Sequence, residues 1–182
     1  MITDVRRFVD RGIAVYTYDK RGVGESSGTF AEPSSRHSGV LQELAHHARA
    51  AYDEVCQRPE IDATRVGFFG VSQAGWIIPL AATLPSSSPA PRFAILLSGP
   101  AVSTGVEEFF SELTADGRNP QALPDIARIR AAVDGYRGPA GYDPKAVLSR
   151  FHTPSLWILG ERDLSVPTWA SVRALAALKQ QY

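Results

Sequence analysis

Apolar positions along this chain of 182 residues follow two alternating periodicities. In "ITDVRRFVDRG", Ile2, Val5, Phe8 and Val9 recur at helical intervals and the pattern stops at Gly12, which predicts a short amphipathic helix closed by glycine. "IAVYTYD", residues 13–19, is a β-branched and aromatic run that predicts a buried strand, and the glycine-rich loop "KRGVGESSGTFAEPSSR" follows it. Residues 39–57 put Leu41, Leu44, Ala48, Tyr52 and Val55 on one stripe, the mark of a helix. "VGFFGV" then predicts a second strand, and "QAGWIIPLAATL" a helix that Pro79 should kink. "RFAILLS" and "SLWIL" predict two more strands, and a last helix is expected to start at Pro167. Between Gly99 and Tyr142 the pattern offers two helices, "TGVEEFFSEL" and "LPDIARIRAAV", and no strand.

Strands alternating with helices predict an α/β fold, a mostly parallel sheet with helices on both faces. The length suits one domain. Ligands of such sheets bind at the carboxyl ends of the strands. "GESSG", Ser72, "SGPAVS" and "GERD" all fall there.

Composition narrows the function classes. Lys+Arg and Asp+Glu both number 19, so charge recommends neither nucleic acid nor a membrane surface as a partner. No apolar run reaches the roughly 20 residues of a bilayer span, and the first residues lack the apolar centre of a signal peptide; a cytoplasmic location is the default expectation. The single Cys56 excludes an internal disulfide and reads as a small apolar filler late in a helix. Histidine, cysteine and carboxylate residues show no metal-ligand spacing, so neither metal nor cofactor is expected. The pattern specifies no oligomeric state.

The chemistry centres on "GFFGVSQAGW". A serine hydroxyl becomes a nucleophile when a base takes its proton and donors stabilise the resulting oxyanion. A sharp strand-to-helix turn presents that hydroxyl but crowds the backbone, so small residues are needed two before and two to three after the serine. Around Ser72 those positions are Gly70, Ala74 and Gly75, with Ala74 at the last glycine of the G-x-S-x-G elbow. The Gln73 amide, at the head of the helix, would face the oxyanion. The plainer alternative is a serine capping a helix after a buried strand.

"RGIAVYTYDKRGVGESSG", "VGFFGVSQAGWIIPLAA", "FAILLSGPAVS" and "TPSLWILGERDLSVP" come in the order and approximate spacing of the α/β-hydrolase fold. Together they resemble its bacterial esterases and serine-aminopeptidase-like hydrolases, over essentially the whole chain. The resemblance is weakest between Gly105 and Tyr142, and a helical cap insertion is expected at about 104–142. It implies Ser72 as the catalytic nucleophile and Asp163 as the acid that orients a catalytic histidine; the alternative for Asp163 is a solvated loop carboxylate beside Glu161. It implies Asp19, Arg21, Gly22, Gly24 and Ser26 as loop-shaping residues.

In this fold the triad runs Ser, acid, His along the chain, yet no histidine follows Asp163. His46 reads as solvated, His47 as a surface or packing residue, and His152 as lying before a strand, away from Ser72; His37 sits in a loop on the correct side. No H-G-G-G or H-G-x-G loop supplies the second oxyanion donor. The expectation is therefore a core fragment truncated at both ends, in which a strand is missing between "IAVYTYD" and "VGFFGV". Those two strands should then pair directly, or the chain should be poorly soluble, since unpaired buried backbone groups cost about 1–3 kcal/mol each.

The leading expectation is a serine hydrolase cleaving carboxylic esters of small molecules, with amides as a second class, through an acyl-enzyme. The alternative is a non-catalytic, truncated or decayed hydrolase-like protein. A nucleotide-binding module is set aside, because "GVGESSG" has Ser27 where a third glycine is needed and no Gly-Lys-Ser/Thr follows. Phe109, Phe110 and Leu113 are candidates for an acyl pocket or, more simply, for packing of the cap.

Overall fold

A computed structural model describes residues 2–31, 34, 39–119 and 125–179. The chain divides into two units, residues 1–30 and 31–182.

The first unit opens with α1, Ile2–Val9. The Gly12 N–H donates to the Val9 carbonyl and the Ile13 N–H to the Phe8 carbonyl, with Gly12 at φ +74°, so glycine closes the helix in a Schellman arrangement. Residues 13–19, expected as a strand, form none. A strand exists only through a neighbour that takes up its backbone bonds, and no ladder pairs this segment among the described residues. Ile13, Val15, Tyr16 and Tyr18 are exposed. The following loop is shaped as the resemblance implied: Asp19 accepts from the Glu25 N–H, the Ser26 hydroxyl donates to the Asp19 carbonyl, and a Cβ on Gly24 would strike the Asp19 carboxylate.

The second unit carries the sheet. Its helix α2, Gly39–Cys56, buries Leu41, Leu44, Ala45, Ala48 and Tyr52, the stripe that periodicity marks out. Strand β1, Phe68–Val71, leads into α3, Ala74–Thr83; β2, Ala94–Leu97, leads into α4, Thr104–Leu113. After α5, Ile126–Asp134, and the short α6, Lys145–Leu148, come β3, Ser155–Ile158, and α7, Thr168–Lys179. The sheet order is β1-β2-β3, all parallel, with Val71, Leu97 and Ile158 in register. This is an α/β fold, and the three strands end together at one edge of the sheet.

Two apolar clusters fix α3 between α2 and the sheet. Trp76, Ile77 and Ala81 meet the α2 stripe, and Ile78 meets Ala94 and Leu96. Phe68, Leu96 and Trp157, at alternate positions of their strands, all join the packing on this face. Helix α3 runs through Pro79 without a break, although proline gives up one helical hydrogen bond. Helix α7 differs by one position from expectation, since the Pro167 carbonyl accepts from Ala170 and Ser171 and so stands at the cap.

The carboxyl edge of the sheet is closed by a glycine contact. A Cβ on Gly75 would lie 2.5 Å from the Pro100 carbonyl oxygen and 2.7 Å from the Gly99 carbonyl carbon. Backbone touches backbone there, so no side chain can move aside. Gly75→Ala should lower stability by about 1–3 kcal/mol, the usual cost of overpacking, seen as a lower urea midpoint. An unchanged midpoint would mean that α3 is not held against the 99–100 turn.

Candidate active site

β1 delivers the chain to Ser72, whose N–H donates to the Leu97 carbonyl as the last rung of the ladder. Ser72 itself sits at φ +55°, in the left-handed region that non-glycine residues rarely occupy. Gln73 then caps α3 in helical conformation, with the Gly75 N–H donating back to the Ser72 carbonyl. The bend is tolerated because its neighbours are small: a Cβ on Gly70 would come within 2.3 Å of the Ala74 Cβ. Gly70, Ala74 and Gly75 thus touch one another or the adjoining turn at the positions where spacing demanded little bulk. The Ser72 side chain is exposed, as a presented hydroxyl must be.

A cavity of about 220 Å³ opens beside it, lined by Ser72, Gln73 and Trp76 from the bend and α3. Glu107, Glu108 and Ser111 reach it from α4, and Asp116 and Ser165 from the flanking loops. The rim is tied across elements. The Trp76 indole N–H donates to the Val102 carbonyl over 2.8 Å, the Ala101 N–H to the Ser171 hydroxyl over 3.2 Å, and the Thr114 hydroxyl to the Leu164 carbonyl. The start of α4 is held in turn, because the Thr104 N–H donates to the Tyr142 carbonyl and the Tyr142 N–H to the Thr104 hydroxyl.

Asp163 follows β3 on the same edge. One carboxylate oxygen accepts from the Ser165 and Val166 N–H groups, each at 2.9 Å, which fixes the side chain and leaves the other oxygen without a hydrogen bond from any described residue. β2 lies between β1 and β3, so Ser72 and Asp163 follow the two outer strands of the sheet.

The histidines lie elsewhere. His46 is exposed on α2, and His47 is 4.0 Å from Glu43 on the same helix. His152 lines a larger cavity of about 440 Å³ at the opposite end of the sheet, together with Arg92 and Arg150, where neither a carboxylate nor Ser72 is found. His37 falls outside the described residues. Among the described residues, no histidine lines the Ser72 cavity.

These features, a left-handed serine between a parallel strand and a helix with a fixed aspartate two strands away, invite comparison with known proteins. The sequence profile of the prolyl oligopeptidase family matches residues 3–182. The chain belongs to the prolyl oligopeptidase family. That is a family of α/β-hydrolase fold and of serine-hydrolase type, in agreement with the fold resemblance read from the four strand-end segments. A search of curated proteins finds no match. Among the described residues no helix is long and apolar enough to cross a membrane.

In this prolyl oligopeptidase family chain, packing is the role of Phe109, Phe110 and Leu113, the simpler of the two expected for them. Phe110 is fully buried against Ile129 and Val133, with Phe109 and Leu113 packed on the same cluster, so these residues build the α4–α5 core and none lines the Ser72 cavity. Glu107, by contrast, does line it. Burial pushes the Glu107 carboxyl up from its ordinary 4.5 to about 7, and the neighbouring charges of Glu108, Asp116 and Asp163 add to the shift. The signal available in the sequence was the adjacent acids Glu107 and Glu108 ahead of Phe109 and Phe110 in "TGVEEFFSEL".

A carboxyl whose folded pKa is raised binds its proton more tightly in the native than in the unfolded chain. Native stability is then greatest below pH 4.5 with respect to this group and declines as pH rises to about 7. Glu107→Gln should remove that decline and stabilise the protein at pH 8 by on the order of 1–2 kcal/mol at a partly solvated site, while changing little at pH 4. Urea midpoints of both proteins at the two pH values check this; parallel changes would place the carboxyl in ordinary solvent.

Proposed function

We propose that this chain carries the nucleophile of a serine hydrolase that cleaves carboxylic esters, and amides by the same route, through an acyl-enzyme on Ser72. The observation that carries the reading is the left-handed backbone at Ser72, φ +55°, which aims an exposed hydroxyl into a cavity at the head of α3. A strained serine is maintained only where the surrounding structure over-determines it, and such sites are concentrated where chemistry occurs.

In the proposed mechanism the Ser72 Oγ attacks the carbonyl carbon of a small-molecule substrate while a base takes its proton. The Gln73 N–H stabilises the oxyanion together with the positive end of α3. Collapse of the tetrahedral intermediate breaks the bond to the alcohol or amine, which leaves with that proton, and water then releases the acid from Ser72 by the same steps. Asp163 orients the imidazole that acts as base, a group that no described residue supplies; its single anchored oxygen suits that role, since the other is left to accept from a ring N–H. The segment from Thr104 to Tyr142 acts as a cap over the site, and Gly70, Ala74 and Gly75 keep the elbow open. No metal or cofactor has a part in these steps.

A second reading, a hydrolase-like protein without turnover, is favoured by one observation: no histidine among the described residues lines the Ser72 cavity. A fluorophosphonate probe separates the two. It should label the chain at Ser72, with labelling abolished in Ser72→Ala and slowed at least tenfold in Asp163→Ala. Equal labelling of wild type and Ser72→Ala would remove Ser72 from the mechanism, and absence of labelling in both would support the non-catalytic reading.

A further inference from the structure

The larger cavity, about 440 Å³, opens at the amino ends of β2 and β3, at the end of the sheet opposite Ser72. Arg92, Arg150 and His152 line it, and no carboxylate does. The chain as a whole is charge-balanced, with 19 basic and 19 acidic residues, so this excess is local. Single arginines at a surface are ordinary. Three basic groups around one concavity without a counter-charge are not, because a cleft lined by one sign of charge concentrates its potential.

Neither guanidinium is used up inside the protein. Arg92 makes no side-chain hydrogen bond or ion pair with a described residue. Arg150 spends its Nε on the Ala146 carbonyl at 3.2 Å, which leaves its two terminal nitrogens. Asp143, whose charge acts on the Tyr142 hydroxyl together with that of Arg150, accepts from the Lys145 N–H and does not line the cavity. A plainer use for the arginines would be to satisfy the last carbonyls of α3, where Ala82 and Thr83 reach the cavity. Neither guanidinium donates to that helix; the Thr83 hydroxyl donates to the Pro79 and Leu80 carbonyls instead.

The segments that carry these groups are held by the sheet. The Arg92 N–H donates to the Val66 carbonyl and the Ala94 N–H to the Pro154 carbonyl, each over 2.9 Å. Ala94 is in register with Ser155, so Arg92 and Thr153 both stand two residues ahead of that rung. Thr153, half-buried in the lining, has a hydroxyl and an N–H that no described residue bonds. A carboxylate presents two oxygens in one plane and suits a single arginine fork. A phosphate presents three terminal oxygens in diverging directions and suits two forks and a hydroxyl from different segments. The volume lies in the range of small-molecule sites, about 300–1,000 Å³, and exceeds what a bare phosphate fills. The rest of the wall is largely apolar, with Ala82, Ala90, Pro91 and Pro154.

We propose that this cavity binds a phosphate monoester. Arg92 and Arg150 hold the phosphate, Thr153 and His152 complete its shell, and the organic group lies on the alanine and proline wall. Such a site needs nothing from Ser72 and stands whether or not that serine acts as a nucleophile.

The test titrates phenyl phosphate, inorganic phosphate, benzoate and phenol into the full chain at constant ionic strength and about pH 8, where phosphate monoesters are dianions. The Thr153 and Ala90 amide signals are followed by nuclear magnetic resonance. Saturable shifts at both are expected with phenyl phosphate, weaker binding with inorganic phosphate and benzoate, and none with phenol, a comparison that needs no variant. Arg92→Gln and Arg150→Gln, both at exposed side chains, should each weaken phenyl phosphate binding about tenfold, the effect of losing one charge-assisted pair, with the Trp76 indole signal unmoved. Absence of saturable shifts at Thr153, equal binding of phenol, or unchanged binding by both variants would overturn the site. Inorganic phosphate or benzoate binding as tightly as phenyl phosphate would overturn the monoester, in favour of the free ion or of a carboxylate.

Discussion

One backbone constraint organises the second unit: the chain must reverse from strand to helix within a single residue, at Ser72. A left-handed φ at a residue bearing a Cβ is sterically costly, so the cost has to be offset by packing around it. The offset is visible in the contacts of Gly70 and Gly75, which bring α3 so close to β1 and to the 99–100 turn that a methyl group would not fit. Ser98 repeats the device after β2, at φ +49°, and so lets the neighbouring turn approach the same helix. Two adjacent parallel strands thus end in bent serines, and the space between their turns and α4 is the cavity.

That cavity is held open by ties that cross from one element to another. Trp76 to Val102, Ala101 to Ser171 and Thr114 to Leu164 join α3, the turn after β2, α4 and the loop after β3. Each element alone would be free to shift by a fraction of its length; joined at several points, they fix the distances on which a site depends. The Phe110 cluster does the same from behind, anchoring α4 to α5 so that its other face, with Glu107, is turned to the cavity.

The electrostatic character of the site follows from this arrangement. Four carboxyl groups from three segments interact, and burial together with the like charge of the others pushes the Glu107 carboxyl above its ordinary range. A surface cluster would dissipate such repulsion into solvent.

Much of this was written in the one-dimensional pattern. The 3.6-residue period of Leu41, Leu44, Ala48 and Tyr52, the small residues around Ser72 and the segments that form β1, β2 and β3 each depend on local sterics or on periodicity, which a sequence carries directly. The exceptions have a common cause. Residues 13–19 have the composition of a strand but form none, because pairing is a property of two segments and composition describes one. Arg49 sits on the buried stripe of α2 because Asp53 pairs with it at 3.0 Å and Tyr52 receives it on its ring, partners that turn a charged residue inward. Glu107 is unremarkable in "TGVEEFFSEL" until α4 is laid against the strand ends. The sequence by itself determined where the chain must bend and which faces must be buried, since those follow from the volume and shape of single residues. Only the tertiary structure decided which distant side chains share the cavity and how charge is distributed within it, because proximity and desolvation are properties of the assembled elements.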